Sequence, residues 1–173
     1  MRTFFMTTGR IGFSKWAGND FALAESLWGD PSVSKYICAS GKFSVQEIWS
    51  RLELEINNER SYRFQYWPIF ERHTCAFIGC CGLRPCGKQQ DTLELGIHLK
   101  KEFWRQGYGT EAASCVIDYA FDELKISALI AGHHPDNTAS AKLIRKLGFQ
   151  YIKDQFYPPT GLIHPSYRLR NEK

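Results

Sequence analysis

The sequence predicts an α/β protein, a mixed sheet with helices on both faces, and two segments and one ordering carry that reading. Leu93 to Thr110, LELGIHLKKEFWRQGYGT, begins as a strand, crosses a short basic turn and ends in a glycine-rich entry to a helix. Ile126 to Ile152 repeats the scheme with an apolar strand, the loop HHPDN, and a short helix closed by Leu147-Gly148-Phe149. Around them, period-two and period-3.6 apolar spacings alternate in the order β-α-α-β-β-β-α-β-α-β-β. The strand before the glycine entry and the strand after its helix are then parallel neighbours joined by a right-handed crossover.

Each element has a local reason. Arg10 to Trp16 alternates Ile11, Phe13 and Lys15 against Gly12, Ser14 and Trp16, giving a first strand. Asp20 to Trp28 reads as a short helix stopped by Gly29-Asp30-Pro31. Ser44-Val-Gln-Glu47 is a capping box opening a helix to about Asn58. Tyr62 to Phe70 is an aromatic, alternating second strand, read as core packing rather than base stacking. Cys75 to Leu83 is a third, in which Gly79 and Gly82 mark bulges or close packing. Gly87 to Asp91 is a hairpin turn into the fourth strand, Thr92 to Leu99. Glu111 to Leu124 carries Ala112, Val116, Tyr119/Ala120 and Leu124 on one helical face. Ile126 to Gly132 is the fifth strand. Pro135 and Asp136 signal the helix that Asn137 begins, with Leu143, Ile144 and Leu147 inward and Gly148 as the positive-φ residue after its end.

At 173 residues, 43% hydrophobic and 23% charged, residues 1–173 read as one globular domain with a sizeable core. No apolar run approaches the ~20 residues of a membrane span, and MRTFFMTTGR lacks a signal-peptide core, so a cytoplasmic protein is expected. A net charge of +4 suits an anionic ligand and falls short of a dedicated nucleic-acid binder. Six cysteines without a C-x2-C pair read as reduced thiols and not as a zinc site. His133 and His134, adjacent at a strand end, point to opposite faces and make a poor metal pair; no metal is expected.

The glycine entry is the first chemical signal. Gly107 and Gly109 remove Cβ atoms where backbone amides open a helix, which makes an anion site for a phosphate-bearing ligand. There is no Gly-Lys-Ser/Thr, which excludes a Walker A loop, and no second βαβ half follows, which weakens a dinucleotide fold. Lys100, Lys101 and Arg105 flank the site, as field-forming groups or as ordinary solvated residues.

The ordered pair of segments resembles the GNAT superfamily of acyl-CoA N-acyltransferases. Its closer resemblance is to the branch holding the ribosomal-protein serine and alanine N-terminal acetyltransferases, whose W-G-x-G-Y-A-T-E-A loop compares with Trp104 to Ala112 here. YPPTGLIHPSYRL, Tyr157 to Leu169, resembles that branch too. The resemblance runs from about Arg10 to Leu169 and is strongest from Leu93 to Phe149. It implies the GNAT fold, a mixed, mostly antiparallel sheet splayed at the fourth and fifth strands, with acetyl-CoA as co-substrate. Pantetheine then lies in the gap against the backbone of Ile97, His98 and Leu99, and pyrophosphate on the amides of Arg105, Gln106, Gly107, Tyr108, Gly109 and Thr110. Asn137 matches the residue that bonds the pantetheine arm, and Ser140 the branch's serine that protonates the departing thiolate. Helix start and inert helix serine are their plainer roles, as a helix-entry cap is for Thr110.

The tyrosine that serves many GNAT enzymes as acid aligns with Ile144, so an acid must come from Ser140, Tyr108, Tyr157 or water. An ammonium has no lone pair, so transfer to an amine needs a base. Glu94 is the first candidate and His98 the second. Thr92, Glu94, Gly96 and His98 share one strand face, which sets Glu94 and His98 ~13 Å apart along a regular strand. The implied partners are acetyl-CoA and a primary amine, a protein N-terminus or a small molecule such as an antibiotic, with no membrane, no direct nucleic-acid contact and a monomer or homodimer. Two rivals stand beside this: an acyl-CoA-binding sensor without turnover, which the Ile144 departure favours, and a ribosome- or RNA-associated domain.

Overall fold

A computed structural model describes residues 2–87 and 89–172 of the chain; Lys88, in the expected Gly87–Asp91 turn, lies outside them. Eight strands form one sheet among these residues: β1 (Met6–Thr7), β2 (Ile11–Phe13), β3 (Tyr66–Glu71), β4 (Phe77–Cys86), β5 (Gln89–Leu99), β6 (Ala128–Gly132), β7 (Gln150–Tyr157) and β8 (Leu162–Arg170). Their order is β1-β2-β3-β4-β5-β6-β8-β7, and every pairing is antiparallel except β5 with β6. The helices are α1 (Phe21–Trp28), α2 (Pro31–Ser34), α3 (Val45–Tyr62), α4 (Tyr108–Asp118) and α5 (Thr138–Lys146).

Strand alternation divides the core in two. Ile11, Trp67, Ile69, Cys81, Leu83, Leu93 and Leu95 pack against Ala112 and Val116 of α4 and Ala120 just beyond it. Tyr66, Phe70, Phe77 and Cys80, on the opposite face, pack against α1 and α3 through Leu27, Trp28, Ile48 and Leu52. Cβ atoms at Gly79 and Gly82 would fall 2.1 Å from the His98 carbonyl oxygen and 1.9 Å from that of Gln65, so these glycines mark close strand approach.

Several boundaries differ from the sequence reading. The two-residue β1 and the single-turn α2 lack enough residues to show a period, and β1 moves the splayed pair from fourth and fifth to β5 and β6. The Ser44–Glu47 capping box forms, but α3 runs on to Tyr62 and ends where Arg63 turns left-handed (φ 66°), so β3 starts at Tyr66. α4 begins at Tyr108 because Gly107, at φ 83°, is already its N-cap; Thr110 is the third helical residue and not the cap. Beyond Asp118 the helix widens, and the Leu124 amide reaches back five residues to the Tyr119 carbonyl at 3.1 Å.

Candidate active site

β5 and β6 pair only from Thr92/Ala128 to Glu94/Ile130. β5 then continues for five residues, to Leu99, while β6 runs two further to Gly132, and a cavity of about 890 Å³ opens between them. The β4 register is unbroken from Leu93 to Leu99, so no bulge disturbs this half of β5. The Lys100 amide donates to Ile78 of β4. Two-residue alternation therefore turns the backbone of His98 to β4 as well, and that of Ile97 and Leu99 into the gap. Of the three expected backbone contacts, Ile97 and Leu99 face the cavity, whereas His98 reaches it by its side chain.

One end of the cavity is the glycine entry. Arg105 and Gly107 both hold positive φ (59° and 83°), a conformation costly for the non-glycine residue. No side chain caps α4, and its first helical bond is made by the Glu111 amide, so the amides of Tyr108, Gly109 and Thr110 lack intrahelical partners. Arg105, Gly107, Gly109 and Thr110 line the cavity; Gln106 and Tyr108 do not. The Gln106 side chain donates back to the Glu102 carbonyl (2.6 Å). Tyr108 is buried, edge-on to Phe103 and beneath the Arg10 guanidinium (4.3 Å), which removes its hydroxyl from the list of acids. Arg10 also donates to the Gln106 carbonyl (3.0 Å) and to the Glu111 carboxylate (2.7 Å), tying the entry to β2. Lys100 pairs with Glu102, and Trp104 donates its indole N–H to the Leu99 carbonyl (2.8 Å).

Along the second wall Asn137 is the α5 N-cap, its Oδ1 accepting the Ser140 amide (3.1 Å). Asn137, Ser140 and Ile144 all line the cavity. His133 and His134 do so too, but with different engagements: Nε2 of His133 meets the Tyr167 hydroxyl (3.2 Å), while Nδ1 of His134 accepts the Asp136 amide (3.1 Å).

The other end is polar and backed by α3. Tyr66 donates its hydroxyl to Glu94 Oε1 at 2.7 Å. Burial, then the nearby Glu94 charge, pushes the Tyr66 phenol well above its usual range, so it remains a donor. A Cβ on Gly96 would lie 2.1 Å from Tyr66 Cζ, so the ring reaches Glu94 only because position 96 has no side chain. Glu55, buried beneath, takes Arg84 and the Tyr66 amide (2.8 Å). Trp28 donates its indole N–H to Nδ1 of His98 (3.1 Å). Burial above all, and then Arg51 and Arg84, hold the His98 imidazole well below its ordinary range. With Nδ1 of His98 engaged by the Trp28 indole, the geometry disfavours that nitrogen as a base.

Sequence reasoning missed Arg51, Arg84 and His164 on the cavity wall. Arg51 and Glu55 are four apart on the stripe that buries Ile48 and Leu52, and a charge pair interrupting an apolar stripe was the available signal. Nothing local marks Arg84 or His164; sheet register alone brings them in.

A family model for the acetyltransferase (GNAT) domain matches residues 10–150. The chain belongs to the GNAT acetyltransferase family. It is 30% identical over 143 residues to the uncharacterized N-acetyltransferase p20 of Bacillus licheniformis, covering 83% of this chain and 80% of that one. Among solved structures it is similar to a putative ribosomal-protein-serine acetyltransferase from Vibrio cholerae (TM-score 0.79, 19% identity, 95% and 96% coverage). It is also similar to RimL, a ribosomal L7/L12 alpha-N-protein acetyltransferase in complex with coenzyme A (TM-score 0.78, 13% identity, 94% and 95% coverage). At those identities the two structures show the fold alone. This GNAT protein is an N-acetyltransferase, and GNAT enzymes use acetyl-CoA. Among its described residues no helix is long and apolar enough to cross a membrane.

Proposed function

We propose that acetyl-CoA lies in the gap between β5 and β6 and that a primary amine attacks its thioester directly, with Glu94 as the base. The observation that carries this reading is the two-ended cavity, with uncapped helix amides at one end and a hydrogen-bonded carboxylate at the other. Helix N-termini favour anions by ~0.3–1 kcal/mol per charge when exposed, and by more when partly buried, which suits pyrophosphate. The Ile97 and Leu99 backbone groups supply ladder partners for the pantetheine amides, and amides of β5 donate to the oxyanion.

The steps balance without a further reactant. Glu94 takes a proton from the ammonium, directly or through water. The amine nitrogen bonds to the acetyl carbon. The tetrahedral intermediate then breaks its C–S bond and sheds the second nitrogen proton, which replaces, through water, the proton that Ser140 or Tyr157 gives to the departing thiolate. Glu94 returns its own proton to solvent. Tyr157 lines the cavity, and burial followed by the Glu94 charge raises its phenol above the usual range, which keeps the proton in place. Residues Trp104 to Ala112 and the similarity to ribosomal-protein acetyltransferases support a protein N-terminal amine as one acceptor class.

Glu94→Gln tests the reading. It should lower kcat about 10²–10⁴-fold while acetyl-CoA affinity, measured by calorimetry, stays within a factor of two or so. A variant with wild-type kcat would remove Glu94 from the mechanism, and failure of the wild type to bind acetyl-CoA would remove the cofactor site itself.

A further inference from the structure

Arg51 has no role in the proposed transfer. It lies on α3 and lines the cavity at the Glu94 end. Its Nε is buried without a hydrogen-bond partner, and it makes no ion pair among the described residues. Glu55, one turn along the same helix, is occupied by Arg84 and by the Tyr66 amide. The guanidinium instead lies over two aromatic rings, 4.7 Å from the Phe43 ring centre and 5.1 Å from that of Trp28. Trp28 is in turn fixed by its bond to His98 on β5. An arginine packed on two rings at a cavity wall, with no ion pair among the described residues, suits a planar oxyanion.

The charges of this end complete the argument. Glu55 and Arg84 neutralise each other. Among the described residues that line the cavity Glu94 is the acidic one and Arg51, Arg84, Arg105 and Lys142 are the basic ones. Arg84 is paired, Arg105 belongs to the glycine entry and Lys142 to α5, which leaves Glu94 and Arg51 at this end. That pair complements a zwitterion, an ammonium at Glu94 and a carboxylate at Arg51. Resting on the reading of Glu94 as base, we infer that Arg51 is a specificity residue that selects amine acceptors carrying a carboxylate close to the reacting nitrogen. Two sources fit that chemistry: the α-carboxylate of a free amino acid, or an acidic side chain next to a peptide N-terminus.

The experiment measures kcat/KM with acetyl-CoA for two matched pairs, serine against serinamide and peptides beginning Ser-Glu against Ser-Gln. Intrinsic reactivity favours the amide of the first pair, whose amine is less basic, so a preference for serine must come from the protein. The wild type should favour the carboxylate member of one pair by about tenfold or more. The responding pair names the source. Arg51→Met should bring that ratio close to one, and Arg51→Lys, which keeps the charge and loses the fork, should restore part of it. Acetyl-CoA titration of each variant confirms folding and tests the cofactor site separately. Direct titration of the same four acceptors into the CoA complex gives the same comparison if turnover is slow. A wild type indifferent within both pairs, or a preference that survives in Arg51→Met, overturns the inference while leaving acetyl transfer standing.

Discussion

Gly96→Ala isolates the contact that positions the candidate base. The added Cβ would fall 2.1 Å from Tyr66 Cζ and 2.3 Å from its hydroxyl, whereas ordinary contact begins near 3.4 Å, so the ring must retreat by roughly 1.3 Å. The Tyr66–Glu94 bond, now 2.7 Å, then opens beyond hydrogen-bonding range. Overpacking a close-fitted core costs about 1–3 kcal/mol, and losing a hydrogen bond to a charged group about 1.5–3 kcal/mol. The variant should therefore be less stable to urea by roughly 2.5–6 kcal/mol and lose at least tenfold in kcat. Tyr66→Phe separates the two effects, because it deletes the hydroxyl and leaves the ring; it should reproduce the kcat loss with only the hydrogen-bond part of the destabilisation, about 1.5–3 kcal/mol. Wild-type stability and kcat in Gly96→Ala would refute the claim that the missing side chain holds Tyr66 against Glu94.

Three further outcomes follow from the same structure. A Cβ on Gly109 would touch Leu143 and Leu99 at 3.4–3.5 Å, and the rest of a larger side chain would enter the cavity, so Gly109→Leu should weaken acetyl-CoA binding about tenfold or more by calorimetry with little change in Tm. His98 should show predominantly neutral imidazole NMR shifts at pH 6.5, because burial and two arginines depress its pKa below that ordinary value. Since the folded state then binds fewer protons than the unfolded state just below pH 6.5, the His98 contribution to stability is complete above that pH and declines as pH falls toward the folded value. A titration centred near 6.5 would contradict the buried, Trp28-bonded ring. Thiol labelling should find Cys75 fast, partly buried Cys86 and Cys115 slower, and Cys38, Cys80 and Cys81 unreactive until unfolding; rapid labelling of Cys80 would mean that the α1–α3 layer is open.

The most legible parts of this chain were those where chemistry is local. Ser44 and Glu47 announced their capping box, Gly148 its positive φ, and the alternation from Thr92 to Leu99 set which residues of β5 face each layer. The glycine entry and Asn137 could be read because a backbone anion site and a helix start each leave a sequence mark. Nothing local shows that Tyr108, offered as an acid, is buried and lies under Arg10, which is almost a hundred positions away. The Glu94 environment was invisible for a similar reason. Its hydroxyl partner comes from β3, the buried ion pair beneath from α3 and β4, and the clearance from Gly96, and no single segment records that meeting.

The short β5–β6 ladder has a consequence for the protein without substrate. A sheet that opens in its middle carries an interior edge, with backbone donors and acceptors that a stray strand could recruit as readily as at an outer edge. Here the edge is sunk between α4 and α5, and Trp104 spends its indole N–H on the last carbonyl of β5. A pantetheine arm laid along the gap would stand in for the absent ladder. The ligand-free protein should therefore be the form most prone to self-association on storage or heating, and coenzyme A, by closing the seam, should act as its chaperone.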